Sequence, residues 1–293
     1  MRWKPAHDAH AIERVSLSLQ FPEPIPSKPW QTLLNAAALE FPAAGFNVTL
    51  EEVEINIGQF AGGPGMRIPI AGAPGFAVGP GQMVQAPIAG RSFQRVVSNE
   101  VREEITLSRN GFAYAAVRYD GWASYRERAM SLLARCIDTT LPLVNLQLVK
   151  LEYWDRFVFQ GPREEVDYAE LLRRHSPYLP SFPYGSNQLW HSHVGLFVPS
   201  GTSARRLLNL NVDVLDLADN TGTTAEAPTP VGKRSVGIYS LAQDTFSSDG
   251  SPSDRSGLVS SFEGMHTILK VALAEVITPE ASSRISLNPQ APA

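Results

Sequence analysis

In the stretch Ala11-Ile-Glu-Arg-Val-Ser-Leu-Ser-Leu-Gln-Phe21, the apolar residues Val15, Leu17, Leu19 and Phe21 alternate with Arg14, Ser16, Ser18 and Gln20. A period of two puts the apolar set on one face of a β-strand and the polar set on the other. The run Pro22-Glu-Pro-Ile-Pro26 ends the strand, because proline cannot donate to a ladder. A second strand is expected over 148–159, Leu148-Val-Lys-Leu-Glu-Tyr-Trp-Asp-Arg-Phe-Val-Phe159, and Gly161-Pro162 ends it in the same way. A shift of 138 positions lays Val15 on Tyr153, Leu19 on Phe157, Phe21 on Phe159 and Pro24 on Pro162.

The helices repeat too. Ser124-Tyr125 with Pro142 recurs as Ser261-Phe262 with Pro279, each displaced by 137 positions. Each set brackets an amphipathic helix. The first carries Trp122, Tyr125, Ala129, Leu132, Leu133, Cys136 and Ile137 on one face. The second, over 257–277, carries Val259, Phe262, Met265, Leu269, Ala272, Leu273 and Val276. A further helix is expected after Ser27, with Pro29 tolerated in its first turn and a stop near Phe41-Pro42. Strands are expected over 47–57, with a bulge at Glu51-Glu52, and as two strands within 94–119 joined at Arg109-Asn110-Gly111, an Asn-Gly hairpin signal. A short helix over 167–175 and strands over 189–199, 205–217 and 234–246 complete the second half, with a Ser/Asp-rich linker at 244–256.

The expected fold class is therefore α+β, with two pseudo-repeated lobes at 1–145 and 146–293. Each lobe reads strand, helix, strands, long helix, giving an antiparallel sheet with helices packed on one face. Saddle-shaped TATA-binding-type folds share this tandem order, but topology carries no function.

A chain of 293 residues with 43% hydrophobic and 18% charged residues has the composition of a soluble globular protein. A net charge of −4 argues against general nucleic-acid binding, which needs surplus cations, and leaves room for a local basic patch only. The single cysteine, Cys136, excludes an intrachain disulfide and lies on the apolar helix stripe, where it reads as a small buried hydrophobe. No signal-peptide pattern and no apolar run of about 20 residues is present, so a cytoplasmic location without membrane contact is expected.

Residues 58–90 differ in kind. They hold nine of the 22 glycines and five of the 23 prolines, and Arg67 is their one charge. Between these breakers stand Met66, Ile68, Ile70, Phe76, Val78 and Met83, which are apolar. Two readings fit: a long loop laid on its own domain, or an interaction arm that packs on another subunit.

The run Leu107-Ser-Arg-Asn-Gly-Phe-Ala-Tyr-Ala-Ala-Val-Arg-Tyr-Asp120, the helix after it and Val149-Lys-Leu-Glu-Tyr-Trp-Asp-Arg-Phe157 resemble a sporadically distributed family of uncharacterised bacterial proteins. Phe41-Pro42, Met265-His-Thr-Ile-Leu-Lys270 and Ile277-Thr-Pro-Glu280 are similar too. Glu152 and Asp155 depart from the pattern, standing where the family tends to have Arg and Asn. The resemblance implies a cytoplasmic protein with no established activity, and it supplies no site residue.

The best candidate site is a strand face. His191 and His193 share one phase, as do Asn209, Asn211 and Asp213 of the next strand, so a hairpin would gather all five. That face reads as the solvated side of an amphipathic sheet, as a ligand or partner surface, or as a metal site built on two histidines and a carboxylate. The basic pairs Arg173-Arg174, Arg205-Arg206 and Lys233-Arg234, with His175, would hold an anion if they converged. His266 beside the last helix stripe reads as structural. P-loop, nucleophile-elbow, dinucleotide-loop, zincin and paired-Cys motifs are all missing. The sequence alone thus favours a non-enzymatic interaction or assembly module without a cofactor, acting through a protein partner or self-association. Nucleic-acid or nucleotide recognition by an open sheet face is the first alternative, and a metal-dependent enzyme around His191, His193 and Asp213 the second.

Overall fold

The computed structural model describes residues 1–55, 66–70, 76–77, 83–84, 88–185, 187–201, 204–217 and 233–288, with backbone alone for 52–55, 66–70, 76–77, 83–84, 88–89 and 248. Its strands are β1 (Trp3–Pro5), β2 (Ile12–Gln20), β3 (Val48–Ile55), β4 (Met66–Ile70), β5 (Phe76–Ala77), β6 (Met83–Val84), β7 (Ile88–Val97), β8 (Glu100–Ser108), β9 (Gly111–Ala116), β10 (Leu148–Phe159), β11 (His191–Val198), β12 (Arg205–Leu217) and β13 (Lys233–Thr245). Its helices are α1 (Ser27–Ala43), α2 (Trp122–Leu132), α3 (Ala134–Thr140), α4 (Arg255–Val276) and α5 (Pro279–Arg284). The fold is α+β, with an eleven-stranded sheet in the order β11-β12-β13-β10-β2-β9-β8-β7-β3-β4, while β1 pairs with β10 and β5 with β6. No helix among the described residues is long and apolar enough to cross a membrane.

The chain divides into two compact units, Met1–Val15 with Lys150–Thr245 and Val259–Ala293, and Ser16–Val149 with Phe246–Leu258. In the first unit β10 alternates without a break. Val149, Leu151, Tyr153, Asp155, Phe157 and Phe159 are buried, and the residues between them are half-buried. Leu208↔Ala242, Val212↔Ile238 and Val214↔Val236 extend the buried face across β12 and β13. The α4 stripe Phe262, Met265, Leu269, Ala272 and Val276 is almost wholly buried. Each large side chain there contributes about 2 kcal/mol by leaving water.

One charged pair sits in this interior. Arg206 and Asp244 are opposite each other in the β12–β13 register, and Arg206 Nε and Nη2 donate to Asp244 Oδ1 and Oδ2, both at 2.7 Å. Arg206 Nη2 also reaches the Ser261 carbonyl of α4 at 3.4 Å. Gly264 makes the room, since a Cβ there would lie 2.8 Å from Arg206 Nη1.

The N-terminal stretch belongs with the later strands. Trp3 pairs with Phe159, Arg2 is bonded to Glu165 and Glu170, and Glu13 holds Arg156. Each unit is thus built from more than one stretch of the chain.

In the second unit α1 ends as a glycine cap requires. Gly45, at φ 97°, donates to the Pro42 carbonyl, Phe46 donates to the Phe41 carbonyl, and the Phe41 and Phe46 rings meet at 5.8 Å. The expected bulge is present, as the β3–β7 register shifts between Glu52 and Val53. Tyr125 of α2 donates from its hydroxyl to the Tyr114 carbonyl of β9, and the rings stack at 5.3 Å.

Several expectations need correction. The helix after Trp122 breaks at Leu133 (φ −86°, ψ 0°) into α2 and α3. In place of a helix over 167–175 there are 3-10 turns at Arg163–Glu165 and Tyr168–Glu170; Leu172 bridges Ile277 and the Arg173 amide bonds the Val276 carbonyl, which draws the chain out of a helical path. Residues 94–119 hold parts of three strands. The expected hairpin at Arg109-Asn110-Gly111 is present and joins β8 to β9, with Ser108 opposite Gly111, while a second turn, Ser98-Asn99 between β7 and β8, has both central residues at positive φ. Gly111 serves another purpose, since a Cβ there would lie 2.5 Å from the Leu19 carbonyl oxygen. Of the arm, β4 pairs with β3 and β5 with β6. The side chains of Met66, Ile68, Ile70, Phe76 and Met83, and all of Val78, lie outside the described residues.

These two glycines should respond differently to alanine. Gly45→Ala is expected to cost about 1 kcal/mol, the cost of a left-handed backbone for a residue whose Cβ would meet only Arg95 Nε, at an ordinary 3.9 Å. Gly111→Ala should cost about 1–3 kcal/mol, because a backbone oxygen must move. Gly185, with nothing within 4 Å of its Cβ position and no positive φ, is the control. Thermal unfolding of the three variants checks the order, and equal stability of the Gly111 and Gly185 variants would sink it.

Candidate functional site

Strand parity brings the five candidate residues together. In the antiparallel register His191 faces Asp213, His193 faces Asn211 and Gly195 faces Asn209. The rows continue onto β13, with Asp213 opposite Gly237, Asn211 opposite Tyr239 and Asn209 opposite Leu241. Both histidines are exposed, and Asn209, Asn211 and Asp213 are half-buried. The side-chain Oδ1 atoms of Asn209 and Asn211 are shielded and have no hydrogen-bond partner among the described residues. At the far end of β11, Phe197 is exposed with the Arg205 guanidinium 4.5 Å above its ring.

The unburied phase of β10 completes this face. The Tyr239 hydroxyl donates to Glu152 Oε1 at 2.6 Å, and the Tyr239 and Trp154 rings lie 5.0 Å apart. Burial, then the Glu152 carboxylate, push the Tyr239 phenol up, so it stays protonated. Arg14 sits 5.3 Å from the Trp154 ring centre. Arg156 donates from Nε to both Glu13 oxygens at 2.8 Å and from Nη1 to Ser235 Oγ at 3.2 Å. Gly237 lies under that guanidinium, where a Cβ would be 3.5 Å away. The result is an aromatic pair flanked by amides, imidazoles and ion-paired arginines. Trp154 and Tyr239 are absent from the sequence-based site; the available signal was an aromatic residue in the polar phase of an alternating strand.

The basic pairs do not converge. Alternation sends Arg206 and Arg234 to the buried side and leaves Arg205 and Lys233 exposed. Arg206 binds Asp244, Arg234 binds Asp216, Arg173 binds Glu275 and the Ile277 carbonyl, and Arg174 lies over Tyr184. The metal-enzyme reading is corrected as well. Among the described residues no three His, Cys, Asp or Glu side chains gather where a metal could be held, and His193 faces an amide, not a carboxylate. Cys136 is buried and its thiol is pushed up to about 12, mainly by burial, so it is no nucleophile at neutral pH.

No known protein family, curated protein or solved structure matches this chain.

Behind the open face lie two buried titratable groups. Asp155 has 3% exposure, its Oδ1 has no partner, and its carboxyl is pushed up to about 7 by burial and then by Glu13. His266 meets the Tyr153 hydroxyl at 3.0 Å through Nδ1 and is pushed down to about 3 by burial and then by Lys270. The two act in opposite directions. The raised Asp155 carboxyl weakens the fold as pH rises from about 4 to about 7, where the unfolded chain has released its proton and the folded chain has not. The depressed His266 weakens it as pH falls from about 6.5 to about 3. Asp155→Asn should therefore gain stability, on the order of a few kcal/mol, at pH 8 relative to pH 4. Denaturant unfolding at the two pH values measures it, and a gain independent of pH would refute the assignment.

Proposed function

We propose that the chain recognises nucleotides or short single-stranded nucleic acid through the open face of β10–β13. The Trp154–Tyr239 ring pair on a strand face carries this reading, with the half-buried amides Asn209 and Asn211 two residues apart beside it. Aromatic side chains on a sheet offer stacking surfaces to bases, and amides read base edges. Charge supports bases over phosphates as the main contact. Arg156 is paired to Glu13, and the whole chain carries −4. Recognition of this kind depends weakly on salt, unlike a phosphate-driven interface.

Two further readings accompany it. The recurrence of strand, helix, strands and helix is proposed to reflect duplication: Tyr125 and Phe262 are both buried, as are Ala129 and His266, at the same offset. Membership of the bacterial family resembled by residues 107–120 and 149–157 is also a proposal, and it specifies no ligand.

Fluorescence anisotropy with labelled oligo(dT), oligo(rA) and a duplex of equal length tests the function. Single strands should bind more tightly than duplex, and Trp154→Ala should weaken binding by about 1–3 kcal/mol, roughly 5- to 150-fold. Absence of binding to every probe, or a Trp154→Ala variant that binds as the parent does, removes the proposal.

A further inference from the structure

At the end of the β12–β13 ladder opposite to the Arg206–Asp244 pair, a second arginine is enclosed. Arg234 stands opposite Asp216, and its side chain has no exposure. Its Nε donates to Asp216 Oδ1 at 2.6 Å, and its Nη1 donates to the Tyr168 hydroxyl at 2.6 Å and to the Asn187 carbonyl. Nη2 is buried and has no acceptor among the described residues. A guanidinium N–H withdrawn from water without an acceptor is a costly vacancy, and such groups in native proteins usually have an unseen partner.

A second orphan donor lies in the same cluster. Trp190 packs edge-on against the Tyr168 ring at 5.9 Å, and its Nε1–H is also buried without an acceptor among the described residues. Tyr168 thus touches both residues, with its hydroxyl on Arg234 and its ring on Trp190. The local charge is uneven. Arg163 Nη2 lies 3.1 Å from Asp216 Oδ2, so two guanidinium groups share one carboxylate. The margin is apolar: Phe182 meets the Trp190 ring at 6.2 Å and is 62% exposed, and Leu189, next to Trp190 in the chain, is 50% exposed.

We infer that this cluster is a binding site for a small monocarboxylate with an apolar or aromatic body. Its carboxylate oxygens accept from Arg234 Nη2 and Trp190 Nε1, and its body lies along Phe182 and Leu189. Two orphan N–H groups match two acceptor oxygens, and one surplus positive charge matches one negative charge. A dianion would bring a second negative charge toward Asp216. The site is independent of the open sheet face, as it uses none of the residues proposed to contact bases.

Calorimetric titration of the full chain with benzoate tests it, with benzamide as the neutral isostere and inorganic phosphate as the competing anion. Benzoate should bind, benzamide should bind at least about tenfold more weakly, and phosphate should be weaker than benzoate. Arg234 also holds Asp216 and Tyr168, so its replacement threatens the fold, and Trp190→Phe is the informative variant. It keeps an aromatic ring and deletes the donor, and should weaken benzoate about tenfold with a little-changed unfolding temperature. Phe182→Ala should weaken benzoate and leave any phosphate signal unaltered. No heat with benzoate up to about 10 mM, equal affinity for benzoate and benzamide, tighter binding of phosphate, or unchanged binding by Trp190→Phe would each overturn the assignment.

Discussion

A sheet has two faces, and in the first unit helix α4 is fitted to one of them; the other properties of that unit follow from this asymmetry. The twelve residues of β10 set the phase, with six closed in and six left toward the open side. Once that phase is fixed, the parity of every neighbouring residue is fixed with it. Arg206, Asp244 and Arg234 fall on the closed side and must be paired there, because an unpaired buried charge costs several kcal/mol. His193, Asn211, Tyr239 and Trp154 fall on the open side and keep their polar or aromatic faces available.

The closed side contains more polar chemistry than a simple apolar core. Between the ion pairs at either end of β12–β13 lie the Tyr153–His266 contact and the lone Asp155 carboxyl. Each shields its charge by a different route. The arginines are neutralised by partners, whereas Asp155 and His266 are held in their uncharged forms over much of the pH range. The interior therefore tolerates polar groups without a compensating network across the whole layer.

Much of this was legible in the residues. The bounds of β10 and β12 agree with the alternation that marks them, and β13 and α4 agree to within one or two residues, because long periodic runs leave little freedom. The gathering of His191, His193, Asn209, Asn211 and Asp213 on one face followed from parity alone. What parity could not supply was partner identity. Arg206 reads as half of a surface pair until the register sets Asp244 opposite. The Asn110-Gly111 signal marks the β8–β9 hairpin, whereas the Ser98-Asn99 turn lacks the glycine that marks such turns. Residues 171–173 look helical in pattern, but bonds to Val276 and Ile277, about a hundred positions away, decide otherwise. Trp154 carries no charge to mark it, and a strand aromatic looks like core until its phase is known.

The hollow at Gly264 carries a consequence for how this chain can diverge. A Cβ at that helix position collides with the Arg206 guanidinium, and the guanidinium cannot retreat while Asp244 holds it by two hydrogen bonds. Positions 206, 244 and 264 therefore form a single unit of substitution. A descendant that acquires a side chain at 264 must give up the arginine, and with it the reason for an acid at 244. Such a lineage would replace all three with apolar residues of matched volume. Related chains, when found, should sort into two groups at these positions, with few mixtures between them.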